Sequence, residues 1–181
     1  MPLRLATCVI LLLLGACSSV SVDDYRGFEP ALDPVRFFDG KLTAHGVIKN
    51  RGGRVIRTFS ADIIAFWQDG VGTLEEDFLF DDGEIQRRVW TLTPKGDGTY
   101  VSTAGDVVGE GLLESSGNSI FLDYVLRIAY GESSVDVRVD DRMYLVSENV
   151  LINESSMKKF GVRVGGITLV IIRHEATTPV T

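Results

Sequence analysis

The side chains able to carry chemistry in this sequence are few, and their types exclude more than they suggest. Nucleophilic catalysis of the serine or cysteine kind needs a histidine held beside the nucleophile, and the chain has two, His45 and His174. His45 alternates with Lys41, Thr43 and Lys49 on the polar face of an expected strand, while His174 opens a C-terminal stretch, residues 174–181, that reads as a frayed tail. Cys8 and Cys17 are the only thiols, so cysteines and histidines together do not make a four-ligand zinc site of the usual kind. There is no G-x-S-x-G, P-loop or G-x-G-x-x-G. The expectation is a protein without catalytic activity, metal or cofactor.

Carboxylates occur as doublets at Glu75-Glu76, Asp81-Asp82 and Asp140-Asp141. Neighbours in a strand point to opposite faces, so no doublet by itself forms an acid/base dyad. Asp81-Asp82-Gly83 reads as a turn, with too few regularly spaced oxygens for calcium. Asp141 stands apart because it shares its parity with Val135, Val137, Val139, Met143 and Leu145, which turns it toward the interior. A carboxylate placed there must be paired or protonated. The natural partners lie in Gln86-Arg87-Arg88-Val89-Trp90, where one of two consecutive arginines faces inward in any register. Alternation groups Arg88 with Trp90 and Leu92, and Arg87 with Ile85 and Val89. Two readings stay open. The inward arginine forms a structural ion pair with Asp141 or Asp106, or, together with Trp90 and Tyr124, it grips the head group of an apolar or fatty ligand.

These residues need a scaffold, and the turn signals describe one. Asn50-Arg51-Gly52-Gly53, Gln68-Asp69-Gly70, Asp81-Asp82-Gly83, Lys95-Gly96-Asp97-Gly98, Ala104-Gly105-Asp106, Ser115-Ser116-Gly117-Asn118 and Gly131-Glu132-Ser133 recur at hairpin intervals. The segments between them alternate: in residues 119–130 the even positions are large and apolar, while Asp123 and Arg127 fall on the odd face. About nine or ten antiparallel strands in chain order, without a long crossover, predict an all-β, up-and-down meander that closes into a lipocalin-like barrel over residues 34–173. A barrel of that size has room for one small ligand.

The first sixteen residues read as a bacterial signal peptide. Arg4 precedes an apolar run of about ten residues, too short for a permanent membrane span. Leu14-Gly15-Ala16-Cys17 resembles a lipobox, so Cys17 is the expected site of lipid attachment and residues 17–33 the expected polar tether. Acyl chains on Cys17 would anchor the protein stably to a membrane. Ser18 in place of an aspartate favours the outer membrane, periplasmic side. With 25 acidic against 18 basic residues and a net charge of −7, the chain lacks the basic excess of a nucleic-acid binder. Its 45% hydrophobic content exceeds that of a disordered chain.

Five blocks carry a family resemblance: Phe37-Phe38-Asp39-Gly40, Asp81 to Trp90, Ala104 to Gly109, Asp140 to Leu145, and Met157-Lys158-Lys159-Phe160-Gly161. They resemble the motifs of domain-of-unknown-function family 3833, lipocalin-like lipoproteins of Gram-negative bacteria, over residues 25–173. The resemblance implies no established reaction, and favours a lipid-related role only through association with enzymes that modify membrane fatty acids. The combined expectation is an envelope lipoprotein whose barrel binds a lipid or fatty acyl chain. The alternatives are an accessory or scaffold protein with a filled barrel and, third, an enzyme acting on modified membrane lipids. Neither oligomeric state nor protein partner follows from the sequence.

Overall fold

The computed structural model describes residues 20–175; the signal segment and Cys17 lie outside them. Ten strands follow one another: β1 (Gly40–Asn50), β2 (Val55–Gln68), β3 (Val71–Phe80), β4 (Ile85–Gly96), β5 (Thr99–Thr103), β6 (Gly111–Ser116), β7 (Ser119–Tyr130), β8 (Ser133–Ser147), β9 (Val150–Lys159) and β10 (Val162–Arg173). Each pairs antiparallel with the next, and β10 returns to β1 through pairs such as Ala44 with Ile171. The expected up-and-down barrel is therefore present and closed, with no free sheet edge along its main seam. Its tight turns use the residues expected of them. Asp69 and Gly70 both adopt positive φ, 52° and 80°, between β2 and β3, matching the twist of a two-residue hairpin.

Alternation fills the interior. Phe59, Ala61, Ile63 and Ala65 of β2, Ile120, Leu122, Tyr124 and Leu126 of β7, and Val137, Val139, Met143 and Leu145 of β8 are all buried. Each fully buried large aliphatic side chain contributes about 1.5–3 kcal/mol. One end of the barrel is plugged by the segment before β1. Asp33 caps the short helix α1 (Pro34–Phe37) by accepting from the Val35 amide at 2.9 Å, and proline begins its first turn. Leu32, Phe37 and Phe38 are buried there, and the Trp67 indole donates to the Phe38 carbonyl at 2.8 Å.

Residues 20–33 lie against the barrel instead of hanging free as a tether. Val22–Tyr25 forms a 3-10 turn, and the Tyr25 ring packs on Phe121 and Tyr144 at 5.7 and 5.4 Å. The Leu32 amide donates to the Gly117 carbonyl at 2.8 Å. Apolar Tyr25, Phe28 and Leu32, scattered among polar residues, explain this docking. At the other terminus His174, just past β10, is tied to β1: its amide donates to the Lys41 carbonyl and its Nε2 lies 2.9 Å from Thr43 Oγ1, while residues 176–181 of the expected tail lie outside the described residues.

The wall is not uniform. β5 and β6 are short, so residues 85–90 of β4 and 124–130 of β7 extend beyond them without a full strand between. The loop 104–110 fills that gap. It docks on β7 through backbone bonds, Val108 N to Val125 O and Arg127 N to Asp106 O, both 2.8 Å, with Val107 packed against the core. On the β4 side the link is an ion pair between side chains, Arg88 to Asp106.

Candidate functional site

The interior holds a cavity of about 120 Å³, far above the roughly 10–15 Å³ that one water requires. Phe38, Ile63, Leu74, Phe78, Trp90, Leu92 and Leu122 form much of its apolar wall. Its polar lining is concentrated in Glu76 of β3, Arg88 of β4, Tyr124 of β7, Asp141 of β8, and Asn153 and Ser155 of β9. Strand register explains the grouping. Glu76 lies opposite Arg88, Asp141 opposite Ser155, and Asn153 opposite Met143, so inward parity on five strands brings these groups into one interior.

The sequence-derived candidates divide cleanly by face. Arg88, Trp90, Tyr124 and Asp141 line the cavity. Arg87 does not: its guanidinium lies on the outer wall, 2.7 Å from Glu75 and 3.2 Å from Asp77, because odd positions of β4 face solvent. Asp106 sits in the loop and engages Arg88 at 3.0–3.1 Å through Nε and 2.7 Å through Nη2. Of the two partners considered for Arg88, Asp106 is the one it bonds. Arg88 also lies 5.6 and 5.9 Å from the ring centres of Phe78 and Trp90, and Trp90 meets Tyr124 edge-on at 5.2 Å.

Among the described residues Asp141, 5% exposed, has no hydrogen-bond partner for its Oδ1, and buried Asn153 likewise has none for its Oδ1. Burial pushes the Asp141 carboxyl up to about 6, although the hydroxyls of Ser155 and Tyr124 and the charge on Arg88 pull the other way. Burial likewise pushes Glu76 up to about 7; Arg88 opposes that rise, while Asp106 and Asp141 add to it. Tyr124 is raised well above the usual phenol, again by burial and then by Asp141. Burial alone would lower Arg88, but its bond to Asp106 and the charge of Glu76 hold it above its ordinary value. One guanidinium therefore meets two cavity-lining carboxylates, Glu76 and Asp141, and the partly exposed Asp106 of the loop.

Glu76, Asn153 and Ser155 were not among the sequence candidates. Parity carried a signal for each: Glu76 shares its face with Leu74 and Phe78, and Asn153 and Ser155 with Leu151 and Met157. The outer members of the carboxylate doublets behave as the alternation rule requires, Glu75 pairing with Arg87 and Asp140 with Arg142. Among the described residues no group of three or more histidines, cysteines, aspartates or glutamates is arranged to hold a metal ion.

A family profile described as "Protein of unknown function (DUF3833)" matches residues 11–173, nearly the whole chain. The chain belongs to the DUF3833 family. No curated protein matches it. Among solved structures, the S-type phycobiliprotein lyase from Guillardia theta is similar to this DUF3833 protein in fold. The likeness has a TM-score of 0.57 at 10% identity, over 79% of this chain and 92% of that one. It corrects one expectation. The sequence suggested a protein without enzymatic activity, whereas a barrel of the same shape is named as a lyase. At this identity the likeness shows fold alone, so it removes the exclusion without assigning a reaction to DUF3833.

Proposed function

We propose that this protein is a lipid-anchored component of the bacterial cell envelope whose barrel receives an apolar molecule, a lipid or fatty acyl chain. The observation that carries the ligand reading is the interior cavity, apolar along most of its wall and polar in one cluster of side chains. A barrel filled by its own side chains, as the scaffold reading requires, would leave no such space. The likeness to a barrel named as a phycobiliprotein lyase supports ligand handling in general. The apolar part of the guest lies against Phe78, Trp90 and Leu122, and its polar end reaches the cluster around Asp141. Mass spectrometry of the intact protein under native conditions tests this, with a bound amphiphile as the expected result and ligand-free protein as the contrary one.

The anchor rests on Leu14-Gly15-Ala16-Cys17 after a short apolar run, and the outer-membrane, periplasm-facing placement on Ser18. Cys17→Ala is expected to abolish incorporation of labelled palmitate and to leave the precursor unprocessed. Labelling that persists in that variant would refute the anchor.

A further inference from the structure

We propose that the cavity selects an amphiphile whose polar end is an amine, or another cation rich in hydrogen-bond donors, seated against Asp141 and Glu76. This rests on the reading that the cavity holds an amphiphile, and it specifies the chemistry of that guest's polar end.

Asp141 and Asn153, each 5% exposed, line the cavity, and each has an oxygen without a partner among the described residues. Both oxygens are acceptors, and Asp141 when ionised has no donor to offer. Buried acceptors of this kind call for donors, and a primary ammonium brings three. A carboxylate guest would bring only more acceptors.

Charge favours the same guest. The cavity lining sets Glu76 and Asp141 against one guanidinium, Arg88, which already carries Asp106 of the loop. That guanidinium already holds Asp106 through Nε and Nη2, so a fatty-acid head group would reach only its remaining N–H groups and would sit beside the carboxylates of Glu76 and Asp141. A cation meets the opposite situation. It relieves the repulsion between Glu76 and Asp141, and it enters a low-dielectric site where charge-assisted bonds are strong. An inorganic cation fits poorly, because the acidic residues do not cluster as metal ligands. An organic ammonium with an apolar tail uses both the polar cluster and the surrounding Phe78, Trp90 and Leu122.

The test uses three probes of equal tail length, octylamine, 1-octanol and octanoate, titrated calorimetrically into the purified protein at pH 8. Octylamine is expected to bind at least about tenfold tighter than octanol, with octanoate weakest, as one to two charge-assisted hydrogen bonds imply. Asp141→Asn should reduce octylamine affinity by about tenfold while leaving octanol within about threefold. Glu76→Gln should act in the same direction, which keeps the test informative if either variant folds poorly. Octanol binding as tightly as octylamine would overturn the amine assignment while leaving an amphiphile-binding cavity in place, and so would octanoate binding tightest. Binding of none of the three would overturn both readings.

Discussion

Arg88→Met is expected to lower the unfolding free energy by about 3 kcal/mol, the lower end of the range for breaking a buried ion pair. The lower end applies because the Arg88 and Asp106 side chains keep 17% and 23% of their surface. For a barrel of this size that loss lowers the melting temperature by roughly 6–12 °C. Two consequences of the geometry make the effect larger than a surface pair would give. Asp106 is left without its partner at the seam between loop 104–110 and β4, and Glu76 loses the positive charge opposite it. Amide exchange should therefore accelerate at Val108 and Arg127, whose bonds tie that loop to β7. Arg87→Met supplies the contrast. Its exposed pairs with Glu75 and Asp77 are worth at most about 1 kcal/mol. Equal denaturation midpoints for Arg88→Met and the wild type, measured on protein stripped of lipid, would refute the structural role of this pair.

Stability should fall as pH rises from 5 to 8, the reverse of the usual behaviour of a paired carboxylate. Glu76 and Asp141 have folded values of about 7 and about 6, above their ordinary 4.5 and 3.8. Between those limits the native state binds more protons than the unfolded chain, so each further rise in pH favours unfolding. The charged and titratable groups that set this balance come from every side of the cluster: Glu76 on β3, Arg88 on β4, Asp106 in the loop, Tyr124 on β7 and Asp141 on β8. The surface carboxylates Asp82 and Asp136 have lowered values, and their contribution is lost only on acidification below the window in question. Asp141→Asn removes the buried Asp141 charge without changing side-chain size. It should stabilise the protein at pH 8 by about 2–3 kcal/mol and have little effect near pH 4. Urea unfolding at both pH values decides the matter, and a variant less stable than wild type at pH 8 would contradict the account.

Much of this architecture was legible because barrel strands obey one simple rule. The parity of Val135, Val137, Val139 and Met143 pointed Asp141 inward, and no register shift intervenes before Leu145 and Ser147. The same rule separated Arg88 from Arg87. It would also have pointed Glu76, Asn153 and Ser155 inward, but polar residues attract notice only when their apolar neighbours on the same face are read with them. The identity of the Arg88 partner was harder to read. It depends on β5 and β6 being short, which brings loop 104–110 over the gap and Asp106 within reach. No local pattern in Ala104-Gly105-Asp106 encodes that. The docking of Tyr25 and Leu32 was masked by polar neighbours for a similar reason: a few apolar contacts with distant strands outweigh local composition.

Native mass spectrometry of the gently extracted protein shows whether the barrel encloses a guest. The wild type should carry one amphiphile per chain, released on collisional activation. Ala44→Phe, which places a ring in the cavity beside Ile63 and Ile171, should lose that species while remaining folded. Overpacking of this kind costs about 1–3 kcal/mol, which a closed barrel tolerates. A wild-type spectrum showing only the covalent protein, unchanged when apolar probes are added, would refute an enclosed guest.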